Sequence, residues 1–170
     1  MDLILDWLEN TPQIHTVFIH NRWIELVNSH RDMRLKQLVA DGLLHTCARL
    51  RKAGKQIVLL GPVPEWTFGP RKLMRRNALL NANRADRLLG GDFITRQRPV
   101  FALLEHMEST GLCRFIPLHG AFHKNGRWLE EDEGHLMYCD DNHLSPYGSR
   151  KMVSGILDQL FPRMESTVSN

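Results

Sequence analysis

Gln56-Ile57-Val58-Leu59-Leu60, followed at once by Gly61-Pro62-Val63-Pro64, constrains the fold more than any other stretch of this chain. An apolar run without polar alternation is the pattern of a strand covered on both faces, as strands of parallel sheets are. The two prolines then end ladder pairing and force an extended loop. Elsewhere apolar runs and helical patterns take turns, which is the signature of a parallel sheet covered by helices. Thr16-Val17-Phe18-Ile19-His20 reads as a short strand leading into a loop of Asn21, Arg22 and Trp23. A helix is expected from about Asp32 to Ala53, with Leu35, Leu38, Val39, Leu43 and Leu50 as its apolar stripe and Gly54 as its stop. Further helices are expected from about Pro70 to Leu89, closing at Gly90-Gly91, and from about Pro99 to Ser109. Cys113 to Leu118 is a third strand candidate, His119 to Glu133 a polar and irregular surface excursion, and Leu136-Met137-Tyr138 a short strand. Ser145 is a natural N-cap for a last helix that has Pro146 in its first turn and runs to about Leu160. The fold class is therefore α/β, and open α/β sheets place their ligands in loops at the carboxyl ends of the strands.

At 170 residues the chain is expected to form one domain over 1–163, with a frayed tail at 164–170. The formal charge of +3 is too slight an excess to imply a nucleic-acid partner unless it is concentrated. Its densest group, Arg71, Lys72, Arg75, Arg76, Arg84, Arg87, Arg96 and Arg98, has no Tyr, Phe or Trp interleaved from Arg71 to Arg87 and reads as a solvated helix face. Cys47, Cys113 and Cys139 are odd in number and lack metal-ligand spacing, so they define no disulfide framework, although one pair is possible. No apolar run approaches the roughly 20 residues of a spanning helix, and Met1-Asp2-Leu3-Ile4-Leu5-Asp6 lacks the basic flank of a signal peptide. Taken alone, the polypeptide is expected to be soluble and to carry no export address.

The chemistry concentrates in Asp140-Asp141-Asn142-His143-Leu144-Ser145-Pro146-Tyr147-Gly148-Ser149. A carboxylate three residues before a histidine, at the mouth of a helix, is the acid-base half of a hydrolase triad. It can fix the imidazole tautomer and stabilise the imidazolium formed when the ring accepts a proton. The alternative is that Asp141-Asn142 form a turn and His143 merely caps or packs. His119 and His123 are four apart and His135 follows an acidic run, but Gly120 and Gly126 argue against a helix there and no second ligand pair completes a site, so no metal is expected. Trp66, Trp128 and Tyr147 are candidates to stack on sugar rings, with loop packing as the other explanation for a Trp beside prolines. Ser145 and Ser149 are not nucleophiles, because Ser145 is committed to the cap and neither lies on a glycine-flanked elbow.

The Asp140 to Ser149 block closely resembles the C-terminal block of SGNH (GDSL-like) hydrolases, particularly the SGNH domain fused to membrane acyltransferases that O-acylate bacterial surface polysaccharides. The resemblance runs from about Val17 to Leu160. Val17-Phe18-Ile19-His20-Asn21-Arg22-Trp23 is similar to that family's strand ending in Arg-Trp, Ile57 to Glu65 to its strand leading to a Gly-Pro-x-Pro turn, and Arg98 to Leu104 to its pre-strand helix. It implies a three-layer αβα, flavodoxin-like parallel sheet. It also implies Asp140 orienting the imidazole, His143 as general base, and Asn21, Arg22 and Trp23 lining the site, with Asn21 or a backbone N–H serving the oxyanion.

The implied partners are an acyl donor, a polysaccharide or sugar ester, and the rest of a membrane acyltransferase, with no cofactor and no nucleic acid. The family domain is typically periplasmic or membrane-tethered. Two departures stand out. The family's Gly-Asp-Ser block is absent before Val17, the one Gly-Asp being Gly91-Asp92 ahead of Phe93, so the sheet is expected to lack its first strand. The family's Cys pair ahead of the Asp-His block has its counterparts, Cys113 and Cys139, separated by His119 to Glu133, and their pairing is open. An acyl-ester transferase or hydrolase domain without its Ser is one expectation; a non-catalytic truncated or degenerate remnant is the alternative.

Overall fold

In a computed structural model, residues 2–28, 33–80 and 92–160 are described. They form two compact units, Met1–Pro62 with Asp92–Pro117, and Val63–Gly91 with Leu118–Asn170.

The first unit is built on three parallel strands, β1 (Thr16–Ile19), β2 (Gln56–Leu60) and β3 (Arg114–Ile116), in the order β1-β2-β3. Val17 pairs with Ile57 and Ile19 with Leu59; on the other side Leu59 pairs with Phe115. The apolar run Ile57-Val58-Leu59 is buried, as a central strand covered on both faces requires. Helices α1 (Asp2–Glu9), α2 (Trp23–Asn28), α3 (Met33–Lys52) and α5 (Phe93–Ser109) flank this sheet. Leu5, Trp23, Ile24, Cys47, Leu50, Val100, Leu104 and Met107 complete its core. The α/β class expected from the alternation of apolar runs is therefore observed.

The end of α3 shows why the chain reverses where it does. Gly54 adopts φ +77, its N–H bonds the Arg51 carbonyl at 2.9 Å, and the Lys55 N–H reaches back to Leu50 at 3.0 Å. That pair of bonds is a Schellman motif, and the left-handed residue it needs is glycine. Gly42 is the opposite case. It lies inside α3 without a positive φ, and a Cβ there would meet nothing within 4 Å. Gly42→Ala is expected to stabilise the protein by about 0.5–1 kcal/mol, read as a higher denaturation midpoint at unchanged slope. A lowered midpoint would contradict the helical placement.

Helix α5 begins six residues before the expected Pro99. Asp92 caps it, accepting from the Thr95 N–H at 3.0 Å and from its hydroxyl at 2.6 Å. Phe93, Gln97, Val100, Leu104 and Met107 then form one buried stripe that passes straight through Pro99. An interior proline costs about 3 kcal/mol. Burying the stripe's four apolar side chains returns roughly 1.5–3 kcal/mol each, so the helix continues. Two helices had no counterpart in the sequence reading. Trp23 opens α2 instead of lying in a loop, and α1 joins α3 through Arg49, which donates to Glu9 and to Asp6 at 2.7–2.8 Å.

The second unit holds α4 (Pro70–Leu79), a 3-10 turn (His119–Phe122), two hairpins and α6 (Pro146–Leu160). Helix α4 starts at Pro70 as expected but ends at Leu79, where Leu80 caps it with its N–H on the Arg76 carbonyl, short of the expected run to Leu89; residues 81–91, with the Gly90-Gly91 stop, lie outside the described residues. Arg71, Lys72 and Arg75 are exposed, while Lys72 and Arg76 both approach the Phe68 ring, at 4.7 and 4.8 Å. Arg84 and Arg87 lie outside the described residues.

The segment His119 to Glu133, expected to be irregular, is ordered. Strands β4 (His123–Lys124) and β5 (Arg127–Trp128) pair antiparallel, as do β6 (Glu131–Asp132) and β7 (His135–Leu136). Each pair turns on two residues with positive φ, Asn125 and Gly126 (52 and 75) and Glu133 and Gly134 (53 and 78). These are the dihedrals of the tight hairpin turn whose twist matches that of paired strands. Phe122, Met137, Tyr138 and Trp66 form the core beneath them. The strand expected at Leu136 to Tyr138 is reduced to β7 and an isolated bridge between Tyr138 and Leu144.

Candidate functional site

The Asp140 to Ser149 segment is held by its own backbone chemistry. The Cys139 N–H donates to the His143 carbonyl at 2.8 Å, so residues 139–143 close into a tight loop. Inside it the Asp140 Oδ1 accepts the N–H groups of Asn142, at 3.0 Å, and His143, at 2.7 Å. That is an Asx turn, and it fixes the carboxyl group in one orientation. The other oxygen, Oδ2, lies 2.8 Å from His143 Nδ1. Both members of the expected pair therefore meet, and the turn that was the alternative explanation is the device that aligns them.

Electrostatics follow from this arrangement. Partial burial raises the Asp140 pKa, but the N–H groups of Asn142 and His143 and the imidazole outweigh it, and the net shift is downward. The carboxylate thus remains ionised below the usual range and stabilises a proton on Nδ1. Nε2 is then the nitrogen left to exchange a proton with a substrate group. The imidazole is 79% exposed and reachable from solvent.

Two glycines let the loop pack. A Cβ on Gly69 would lie 2.8 Å from the Asp140 Cα, and one on Gly148 would lie 2.0 Å from the Met137 carbonyl oxygen. The Trp66 N–H also donates to the Asp141 carbonyl at 2.8 Å. Behind the loop, Ser145 acts as the expected N-cap. Its Oγ accepts from the Gly148 N–H at 3.0 Å and donates to the Leu136 carbonyl at 2.6 Å. With both capacities used, its hydroxyl is structural.

The Asn21-Arg22-Trp23 group belongs to the first unit. Asn21 Oδ1 accepts the Arg22 N–H at 2.7 Å, and the Arg22 guanidinium is paired with Glu25 one turn on. Trp23 is buried, and its indole N–H donates to the Leu60 carbonyl at 2.8 Å, joining α2 to the end of β2. Asn21 and Arg22 are exposed and within reach of a ligand; the Trp23 ring is core.

Trp66 is likewise core, edge-on to Tyr138 at 5.9 Å, and Tyr147 stacks on His135 with its hydroxyl on Asp132. Trp128, half-buried like Tyr147, differs from both in lining a pocket. The cysteines are free thiols. Cys47, buried, shares a hydrogen bond with Cys113, which together with burial pushes its thiol pKa up, while Cys139 is exposed in the second unit. Among the described residues no three His, Cys, Asp or Glu side chains gather as a metal site requires, and no helix is long and apolar enough to cross a membrane.

No curated protein matches the chain. Among solved structures, the periplasmic domain of a lipopolysaccharide acetyltransferase from Salmonella ser. Paratyphi A superposes with a TM-score of 0.70 at 18% identity. The match covers 94% of this chain and 61% of that one, so the chain spans about three-fifths of that structure. At this identity the likeness is one of fold. The sequence model of the SGNH domain found fused to AT3 domains matches residues 1–158, and the chain belongs to that family.

Proposed function

We propose that the chain supplies the acid-base half of an O-acyl transfer site acting on a bacterial polysaccharide, with the attacking Ser contributed from outside residues 1–170. The observation that carries this is the 2.8 Å contact between His143 Nδ1 and Asp140 Oδ2, in a loop that locks the second carboxylate oxygen with two N–H groups. Membership of a family fused to AT3 domains, and the fold shared with an acetyltransferase domain, support the membrane acyltransferase context.

In this mechanism the Ser oxygen attacks the acyl carbonyl carbon as His143 Nε2 takes its proton. The imidazolium, stabilised by Asp140, returns that proton to the departing group of the donor, leaving a serine ester. A sugar hydroxyl then attacks the ester carbonyl, giving its proton to His143, and the Ser leaves with that proton. Asn21 is the side-chain candidate for donating to the oxyanion, and Arg22 for holding substrate.

A direct consequence concerns the isolated chain. The only Gly-Asp in the sequence, Gly91-Asp92, precedes Phe93, and Ser145 is spent on its cap. Residues 1–170 are therefore expected to hydrolyse p-nitrophenyl acetate no faster than a His143→Ala variant and to take no fluorophosphonate label on serine. Turnover that depends on His143, or a labelled Ser, would contradict the external nucleophile.

A further inference from the structure

The hairpins of the second unit form a feature that the acid-base pair does not use. Lys124, Asn125, Arg127, Trp128, Leu129, Glu130 and Glu131 line a pocket of about 330 Å³. That is at the lower end of the roughly 300–1,000 Å³ typical of ligand sites. Its walls are rigidly built. The Asn125-Gly126 turn fixes one end, and the Trp128 ring lies 4.7 Å from His123 and 6.3 Å from His119. Asp132, almost fully buried, anchors the adjoining hairpin by accepting from Lys151 at 2.6 Å, Tyr147 at 3.2 Å and Lys124 at 3.5 Å. A site held this way loses little conformational freedom on binding.

The lining selects the chemistry of its ligand. Two cations, Lys124 and Arg127, are matched by two carboxylates, Glu130 and Glu131. A nucleotide or phosphate would require a positive excess, and the pocket has none. A purely apolar ligand would offer the exposed Arg127 guanidinium no acceptor. What suits an indole beside an amide, a guanidinium and carboxylates is a neutral ring with C–H groups on its face and hydroxyls around its edge. Arg127 is exposed and pairs with no carboxylate among the described residues, so its donors are accessible to such a hydroxyl edge.

We infer that this pocket binds a neutral sugar unit of the acceptor polysaccharide, the indole of Trp128 meeting the ring and Arg127 with Asn125 its hydroxyls. The inference rests on the acyl-transfer function proposed above, and it places acceptor recognition in the same compact unit as His143 and Asp140.

The test uses the full-length protein and de-O-acetylated surface polysaccharide purified from the cells that encode it. Binding is followed by saturation-transfer NMR and calorimetry, beside an acyl-transfer assay. Arg127→Ala and Trp128→Ala are each expected to weaken binding at least tenfold, and Trp128→Phe to restore most of it. Arg127→Ala keeps the test valid should Trp128→Ala fail to fold. Absence of binding, or binding unaffected by Arg127→Ala and restored equally by any side chain at 128, overturns the pocket. If binding follows Trp128 while transfer ignores His143, the pocket stands and the catalytic proposal falls. If transfer needs His143 while binding ignores the pocket variants, the reverse holds.

Discussion

Asp140→Asn is expected to lower acyl transfer by roughly 10²–10⁴-fold, toward the loss seen when a triad aspartate is made an amide, while leaving the loop intact. The asparagine Oδ1 can still accept the Asn142 and His143 N–H groups, so the Asx turn survives. The amide nitrogen would then face His143 Nδ1 as a donor and force that nitrogen to accept. Its proton moves to Nε2, the nitrogen that must be vacant to act as base. The range extends below the buried case because Asp140 is 49% exposed and water can partly replace the carboxylate. Parallel assays should find kcat reduced with little change in KM; a variant with wild-type kcat would show that Asp140 does not orient the imidazole. The pH profile carries a related expectation. The Asp140 pKa is lowered on folding, so its stabilising charge is present above the ordinary carboxylate range and is lost only as pH falls through the lower folded value. No decline assignable to Asp140 should therefore occur above about pH 4.

Gly148→Ala is expected to be among the most destabilising single-methyl changes in the chain. The added Cβ would fall 2.0 Å from the Met137 carbonyl oxygen, far inside contact distance. That carbonyl cannot simply move aside, because it accepts the Ser145 N–H at 2.9 Å, and Ser145 in turn caps α6. Relief requires shifting the helix off the buried core of Met137, Tyr138 and Phe122. Overpacking against backbone costs about 3 kcal/mol or more, which lowers the melting temperature by roughly 6–12 °C for a chain of this size. Ser149→Ala, one residue on, is the matched control and should melt near wild type. Equal melting temperatures for the two variants would contradict the helix placement.

What the sequence made legible was local. The Gly54 stop, the Ser145-Pro146 helix start and the Asp140-His143 contact rest on hydrogen bonds within five residues, and the β2 run shows as an unbroken apolar stretch; each is observed. Elements that depend on distant partners were read less well. Helix α1 carries Asp2, Asp6 and Glu9 on one side, but at eight residues it is shorter than the window over which a helical period stands out, and its attachment comes from Arg49 about 40 residues away. Pro99 looks like a first-turn proline until Asp92 is seen to cap Thr95 and the buried stripe to run past it. The His119 to Glu133 segment looked irregular because its strands are two residues long, although Asn125-Gly126 is a hairpin signal in its own right. The family resemblance implies Trp23 as a site-lining ring, and the bond to the Leu60 carbonyl, 37 residues on, shows that its indole joins α2 to the end of β2.

The most direct measurement is the O-acetyl content of surface polysaccharide, by NMR, in cells whose gene carries His143→Ala, beside wild type and with protein levels matched. Loss of the acetyl signals, restored by the wild-type gene, is the expected result. Unchanged acetylation in the variant would show that His143 is not the base of this reaction.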